Sequence, residues 1–224
     1  DMLAIRDGKS VDLPAGFHYR MLSPGIIDRE REGAERFVSM LSNGEATPGL
    51  HDGMAAFAGP NGATLLVRNH ELNVGDTPFV DAKRVRPYDE RVGGGTTTLW
   101  VDAERNLVKS LPSLSGTLRN CAGGRTPWNS WLTAEEATQT PGEIDAVNAD
   151  MDPGVSQRHG YMFEVDALSE QLVEPIPIKA MGRFRHEAVA VDPLTGYAYL
   201  SEDRDDGLLY LYRPDAVARG TKPS

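Results

Sequence analysis

The run Thr97-Thr-Leu-Trp-Val-Asp102, which leads through a short polar turn to Asn106-Leu-Val108, decides the fold class of this chain. It consists of an apolar strand-like run, an aspartate, a few polar residues and a second apolar run. Side chains of a β-strand alternate between the two faces of the sheet, and aspartate favours turns. The stretch therefore predicts a strand, a turn and a second strand.

The same pattern occurs twice more along the chain. Tyr161–Asp166 leads to Gln171–Val173, and Ala188–Asp192 leads to Tyr197–Leu200. Two further strands are predicted, at Gly62–Asn69 and Leu208–Arg213. Recurrent antiparallel hairpins predict an all-β fold, either a β-propeller of small radial sheets or a β-sandwich. The uneven spacing of the hairpins leaves both architectures open, and we take the propeller as the first expectation.

Two segments do not follow the strand pattern. Arg29–Ser42 and Ser130–Ala137 are predicted to be helical or irregular. We expect residues 1–224 to form a single propeller domain. A propeller blade needs about 40–50 residues, so a chain of this length makes only part of a ring. We therefore expect the natural protein to continue beyond Ser224.

Composition and charge exclude several classes of protein. The chain has 224 residues, a formal net charge of −10 and a pI near 5.0. This charge argues against a nucleic-acid-binding protein, which needs cationic groups to neutralise phosphates. No run approaches the roughly 20 apolar residues that span a bilayer. The single cysteine rules out an intrachain disulfide, and the oligomeric state stays open.

Acidic residues cluster in a way that suggests a cation site. Three histidines are each followed by an acid, and two pairs of adjacent acids occur beside strand-like runs. The pairs are His51-Asp52, His70-Glu71, His186-Glu187, Glu135-Glu136 and Glu202-Asp203. Neighbouring side chains on a strand face opposite sides, so one member of each pair can face a common centre. Carboxylates that converge would repel each other unless they bind a hard cation such as calcium. Solvated acids with locally bonded histidines are the alternative interpretation.

Several longer motifs resemble one known family. They include His51-Asp-Gly-Met-Ala-Ala-Phe57, Leu66-Val-Arg-Asn-His-Glu71, Leu114–Trp128, Ser130-Trp-Leu-Thr-Ala-Glu-Glu136, Met181-Gly-Arg-Phe-Arg-His-Glu187 and Tyr199-Leu-Ser-Glu-Asp-Arg204. In this order they resemble the PhoX-like bacterial alkaline phosphatases. The resemblance implies a β-propeller that hydrolyses monoesters of small phosphorylated substrates and is exported to the periplasm or secreted. It also implies an active-site cluster of calcium and iron.

The resemblance assigns metal ligands to particular positions. The family's ligand-bearing motifs fall on Glu135, Glu187, Glu202 and Asp203. The family motif has a cysteine, an iron ligand, where this chain has Ala134. Carboxylates suit calcium whereas a thiolate favours softer metals, so we expect calcium to be kept and iron, with phosphatase activity, to be impaired.

The catalytic groups and the phosphate contacts are less defined. The residues identify no catalytic nucleophile, and Arg125, Arg183 and Arg204 are candidates to contact phosphate. Two alternatives remain beside the phosphatase: a non-catalytic calcium-stabilised propeller that serves as a binding module, and a lactonase-like calcium propeller.

Overall fold

Short antiparallel strands make up the regular structure of this protein. The computed structural model describes residues 22–23, 39–77, 79, 85–143 and 154–215. These residues contain two short 3-10 turns, Pro60–Gly62 and Lys179–Met181. Their strands are β1 (His51–Ala58), β2 (Thr64–His70), β3 (Gly94–Val101), β4 (Leu107–Thr117), β5 (Asn120–Arg125), β6 (Ser130–Glu135), β7 (Met162–Asp166), β8 (His186–Val191), β9 (Ala198–Glu202) and β10 (Leu209–Tyr212). Within the described ranges, no helix is long and apolar enough to cross a membrane.

The strands form three open antiparallel sheets, each built from consecutive strands. The first sheet has the order β1-β2-β3-β4, the second β5-β6-β7 and the third β10-β9-β8. The expected all-β fold of hairpins is thus confirmed. Since the described strands close no ring, the choice between propeller and sandwich stays a prediction.

Most predicted strands appear where the pattern placed them, with two corrections. Ser130–Ala137, expected to be helical or irregular, contains the central strand β6. All six side chains of β6 are buried, so the strand shows no alternation of polar and apolar residues that would reveal it. Gln171–Val173 is not a strand, although the Val173 N–H donates to the Ser113 carbonyl. The candidate helix Arg29–Ser42 lies mostly outside the described residues.

Two apolar cores hold the sheets together. The first core joins the first sheet, through Phe57 and Leu65, to Phe163 of the second sheet. The second core joins Met162, next along β7, to Leu200 of the third sheet. Burial of each such side chain stabilises the fold by about 1.5–3 kcal/mol. The second sheet therefore packs against both of the others.

Strand β5 owes its position to small residues. A Cβ atom on Gly124 would lie 1.8 Å from the Val189 carbonyl oxygen of β8. On the other side, a Cβ atom on Gly53 of β1 would lie 2.7 Å from Cα of Ala122. Because side chains at these points would separate the backbones, the glycines allow β5 to pass close to both neighbouring sheets. This brings Cys121 of β5 near the ends of strands from each sheet.

Candidate metal centre

A thiol and two carboxylates meet where the three sheets come together. Cys121 lies on β5, Glu136 directly follows β6, and Glu187 lies on β8. One potential ligand atom from each of the three lies within 4.8 Å of the other two. The cysteine is buried, and the two glutamates are half-buried. Three donors of this kind at this separation can bind one cation.

Further acids surround these three residues. Asp203, which follows β9, and Glu71, which follows β2, both raise the pKa of Glu136. The charges of Asp203, Asp52 and Glu71 act on Glu187. We call these six residues, Asp52, Glu71, Cys121, Glu136, Glu187 and Asp203, the acidic cluster. Its members come from all three sheets.

Raised pKa values show that the charged forms of the cluster residues are unfavourable when no cation is bound. Burial, hydrogen bonds to Asp203 and Glu71, and the charges of Glu71 and Glu187 raise the pKa of Glu136 to about 8. Burial also raises the pKa of Glu187, and the acids around it add to the effect. The pKa of the Cys121 thiol is raised as well, first by burial and then by Glu187 and Glu136. Like charges are therefore held together at a cost that a bound cation would offset.

The donor set fits the metals that the family resemblance of the motifs implies. Carboxylate oxygens are the ligands that calcium prefers, and a thiolate adds affinity for iron or another softer metal. Both kinds of donor are present in the acidic cluster. A resident cation would also explain why a chain of net charge −10 brings several half-buried and exposed acids together at one place.

The four predicted ligands lie in two kinds of surroundings. Glu187 and Asp203 belong to the acidic cluster. Glu202 instead accepts hydrogen bonds at Oε2 from the Tyr210 hydroxyl at 3.0 Å and from the Leu208 N–H at 3.3 Å. These partners hold its carboxylate against the β9–β10 hairpin.

Glu135 is buried and fully engaged with other groups. Its Oε1 accepts from the Leu118 N–H at 2.8 Å and from His159 Nδ1 at 2.6 Å. Its Oε2 accepts from the N–H groups of Gly160 and Tyr161 at 2.7 and 3.1 Å. Its relative exposure is 0 %, against a half-buried Glu136. A ligand role for Glu135 stays a prediction, but the neighbouring glutamate is the one beside Cys121 and Glu187.

His159 links Glu135 to a second buried acid. Its Nε2 lies 3.4 Å from Oδ2 of Asp89, and both side chains are fully buried. Burial by itself lowers the pKa of His159, but the charge of Glu135 and the hydrogen bonds to Asp89 and Glu135 raise it to about 9. The imidazole is therefore positively charged at neutral pH between two acids.

The histidines of the three His-acid pairs support the backbone beside the cluster. The ring of His70 bonds the Gly49 carbonyl through Nδ1 at 3.0 Å, and the ring of His186 lies 3.3 Å from the Gly182 carbonyl through Nε2. His51 bonds the Pro48 carbonyl at 2.9 Å. Burial is the main cause that lowers the pKa of His70 to about 3 and of His186 to about 4. The acids that follow these histidines, Asp52, Glu71 and Glu187, all belong to the acidic cluster.

The three candidate arginines differ in their surroundings. Arg125 stacks over the Phe57 ring at 4.9 Å, and Arg183 donates to the His159 carbonyl at 2.8 Å. Arg204 lines a polar cleft of about 530 Å³ next to the acidic cluster. The other lining residues are Thr138, Arg185, Asp203, Asp205 and Asp206. Arg204 is thus the candidate nearest to the predicted metal ligands.

Sequence reasoning missed part of this centre. It did not select Cys121 or Glu136 as ligands, and it proposed Asp52 and Glu71 only as members of His-acid pairs. The signal for the last two was present, since both follow a histidine beside a strand. Nothing in the local sequence shows that Cys121 lies next to Glu187, which is 66 residues further along the chain.

The fold and the site together define an all-β protein with an acidic, thiol-containing candidate metal centre. The family of alkaline phosphatase PhoX matches residues 2–111 and 102–222, which cover almost the whole chain. The chain belongs to this family, and the resemblance predicted from its motifs is confirmed. Members of the family are metal-dependent. Neither a comparison with curated proteins nor one with solved structures found a match.

Proposed function

We propose that this protein is a PhoX-type phosphatase that hydrolyses monoesters of small phosphorylated substrates at the acidic cluster. The observation that carries the proposal is the meeting of Cys121, Glu136 and Glu187 at one point, in a chain that belongs to a metal-dependent phosphatase family. Cys121 and Glu136 belong to the second sheet and Glu187 to the third, so the approach of Glu187 to the other two does not follow from local chain geometry.

The residues of the cluster have separate roles in this proposal. Glu136 and Glu187 provide carboxylate oxygens for calcium, and Cys121 provides a thiolate for a softer metal. Asp203 and Glu71, which raise the pKa of Glu136, complete the acidic surroundings. When bound, the cations supply Lewis-acid polarisation of phosphoryl oxygens and lower the pKa of a coordinated water. We assign the ligand role in the Glu135-Glu136 pair to Glu136, since the oxygens of Glu135 already accept four hydrogen bonds.

The protonation of the cluster makes metal binding dependent on pH. Glu136 has a pKa of about 8, so it retains its proton at neutral pH in the metal-free protein. Cys121 also holds its proton, because burial raises its pKa. Metal loading must displace these protons, and we expect affinity to increase as the pH rises. An alkaline working range is consistent with this requirement.

Ala134 stands where the family has a cysteine, but the thiol of Cys121 lies close to this position. The methyl group of Ala134 is fully buried in the second core, and Cys121 Sγ lies 3.9 Å from the Ala134 carbonyl oxygen. We propose that calcium binds through the carboxylates and that iron, if retained, binds through Cys121. The earlier expectation that Ala134 impairs iron binding stays a prediction, tested below.

The polar cleft beside Asp203 suits a charged substrate. Arg185 and Arg204 line it together with three aspartates, and Arg204 Nε lies 3.1 Å from Asp206 Oδ1. Guanidinium groups bind phosphate oxygens through paired hydrogen bonds, so Arg185 is the better placed of the two to bind a phosphate. We propose that the phosphate group reaches the cluster through this cleft. We also propose that the three sheets are successive blades of a propeller and that the protein acts in the periplasm or after secretion.

The experiment measures metal content and turnover in one preparation. The purified protein is analysed for calcium and iron by mass spectrometry and is assayed with an aryl phosphate. We expect bound calcium and hydrolysis, and we expect Glu187→Gln to abolish both. Glu170→Gln is the matched control, since its carboxylate pairs with Lys109 at the surface and is not a predicted metal ligand.

Three outcomes separate the candidate functions. Turnover that is lost in Glu187→Gln but kept in Glu170→Gln supports the phosphatase. Calcium without turnover selects the non-catalytic binding module. A protein that binds neither calcium nor iron contradicts the proposed metal centre.

A further inference from the structure

A buried chain of three polar side chains lies behind the acidic cluster. Asp89, His159 and Glu135 are hydrogen-bonded in that order, and none exposes more than 1 % of its surface. His159 Nδ1 lies 2.6 Å from Glu135 Oε1, and His159 Nε2 lies 3.4 Å from Asp89 Oδ2. We call this set the Asp89–His159–Glu135 chain. Burial of so many polar groups is costly unless every hydrogen bond is made.

Both ends of this chain are attached to the backbone. Asp89 accepts from the N–H groups of Arg91, Ser156 and Gln157 at 2.9, 2.6 and 2.9 Å. Glu135 accepts from the backbone at residue 118 and at residues 160–161. The three side chains thus tie together segments that are up to 70 residues apart. Such a network specifies one arrangement of the segments that it joins.

The arrangement so specified includes the position of Glu136. Glu136 follows Glu135 directly, and its N–H donates to the Arg119 carbonyl at 3.0 Å. The residue before Arg119 is Leu118, and its N–H donates to the Glu135 carboxylate at 2.8 Å. Glu135 therefore fixes the backbone of Glu136 in two ways. It is the residue next to Glu136 in the chain, and its side chain holds the 118–119 segment to which the Glu136 N–H donates. Neighbouring side chains of an extended chain point in opposite directions, so an inward Glu135 directs Glu136 towards the cluster.

We propose that His159, held by Asp89, is a positioning residue that fixes Glu135 and thereby places the Glu136 carboxylate beside Cys121 and Glu187. This inference rests on the proposed function, in which Glu136 is a metal ligand. It extends that function by assigning a role to groups that do not reach the metal site. Hydrogen-bonded groups behind metal ligands contribute about 10–100-fold to metal affinity when they orient a ligand.

The two nitrogens of His159 allow a sharp test. In His159→Asn the amide nitrogen occupies the position of Nδ1 and keeps a donor to Glu135. In His159→Gln it occupies the position of Nε2 and keeps a donor only towards Asp89. Both variants remove the ring and destabilise the fold, but only the second leaves Glu135 without its partner. Val165→Ala, which removes two buried methyl groups from the first core on β7, serves as a control for loss of stability alone.

Calcium binding to the full chain is measured by isothermal titration, and stability by thermal unfolding. We expect His159→Gln to weaken calcium binding by about 10–100-fold. His159→Asn should stay within about threefold of the wild type, and Val165→Ala should lower the Tm without changing the Kd. Equal calcium affinity of His159→Gln and wild type would overturn the proposal, as would equal weakening in Val165→Ala.

A second measurement separates this inference from the proposed function. If the wild-type protein binds neither calcium nor iron, the proposed metal centre fails, and the role of His159 is then read from crystal structures of the metal-free proteins. A displacement of the Glu136 carboxylate away from Cys121 in His159→Gln, but not in His159→Asn, supports positioning. An unchanged Glu136 in both variants refutes it.

Discussion

Replacing two adjacent glutamates by glutamine, one at a time, should give opposite effects on stability. Glu135 accepts four hydrogen bonds in a buried site, whereas Glu136 lies among acids that repel it. The substitutions Glu135→Gln and Glu136→Gln change size very little and each remove one carboxylate. Any difference between them therefore reports the surroundings of the two side chains.

Glu135→Gln should destabilise the protein strongly. Each oxygen of Glu135 accepts two hydrogen bonds, so the NH₂ group of the glutamine faces two buried donors in either orientation of the amide. Removing one partner of a buried charged network costs about 3–5 kcal/mol. For a chain of this size, this corresponds to a fall in Tm of roughly 6–20 °C.

Glu136→Gln should stabilise the metal-free protein at alkaline pH. Ionisation of Glu136 is unfavourable in the folded state, since its pKa is raised from 4.5 to about 8. Because the side chain is partly exposed, solvent screening reduces this penalty to about 1–2 kcal/mol. At pH 9 with a chelator, we expect the Tm to rise by roughly 2–8 °C. Calcium binding should be lost in the same variant.

Thermal unfolding at pH 9, with chelator and with calcium, checks both expectations. Glu135→Gln should still show stabilisation by calcium, from a lower starting Tm and to a smaller extent than in the wild type, because Glu136 is then less well positioned. If Glu135→Gln instead keeps the wild-type Tm and loses calcium binding, Glu135 is the ligand that the sequence motif predicted and our assignment is reversed. Identical behaviour of the two variants would refute the argument from their surroundings.

Three further predictions concern the thiol, the pH dependence and the contact between sheets. Cys121→Ser should lose iron while calcium remains. Ala134→Cys should raise the iron content only if position 134 binds metal, and elemental analysis of both variants measures this. In the presence of a chelator, the free energy of unfolding should fall as pH rises from about 4.5 to about 8, because the unfolded chain releases the Glu136 proton first. Denaturant titrations at several pH values measure this fall, and an equal fall in Glu136→Gln would contradict the prediction. Gly124→Ala should lower the free energy of unfolding by at least about 1–3 kcal/mol, since its Cβ would lie 1.8 Å from the Val189 carbonyl oxygen. An unchanged Tm would show that β5 and β8 can move apart without loss of stability.

Much of this protein is readable from its sequence. The apolar runs that end in aspartate predicted β3, β7 and β8, because apolar runs bounded by turn residues are typical of strands. The motifs identified the family, and the His-acid pairs indicated acids that converge. These features are local, so each depends only on the order of a few residues.

The tertiary structure decided the rest. A shift of one residue turns every side chain of a strand to its other face, so the sequence could not tell which glutamate of the Glu135-Glu136 pair meets the cluster. The packing of β6 between β5 and β7, with His159 behind it, settles that question. The place of Cys121 beside Glu187 likewise depends on how closely β5 approaches β8, which the small side chain of Gly124 permits. Contacts between residues far apart in the chain are set by the packing of sheets, and no local pattern encodes them.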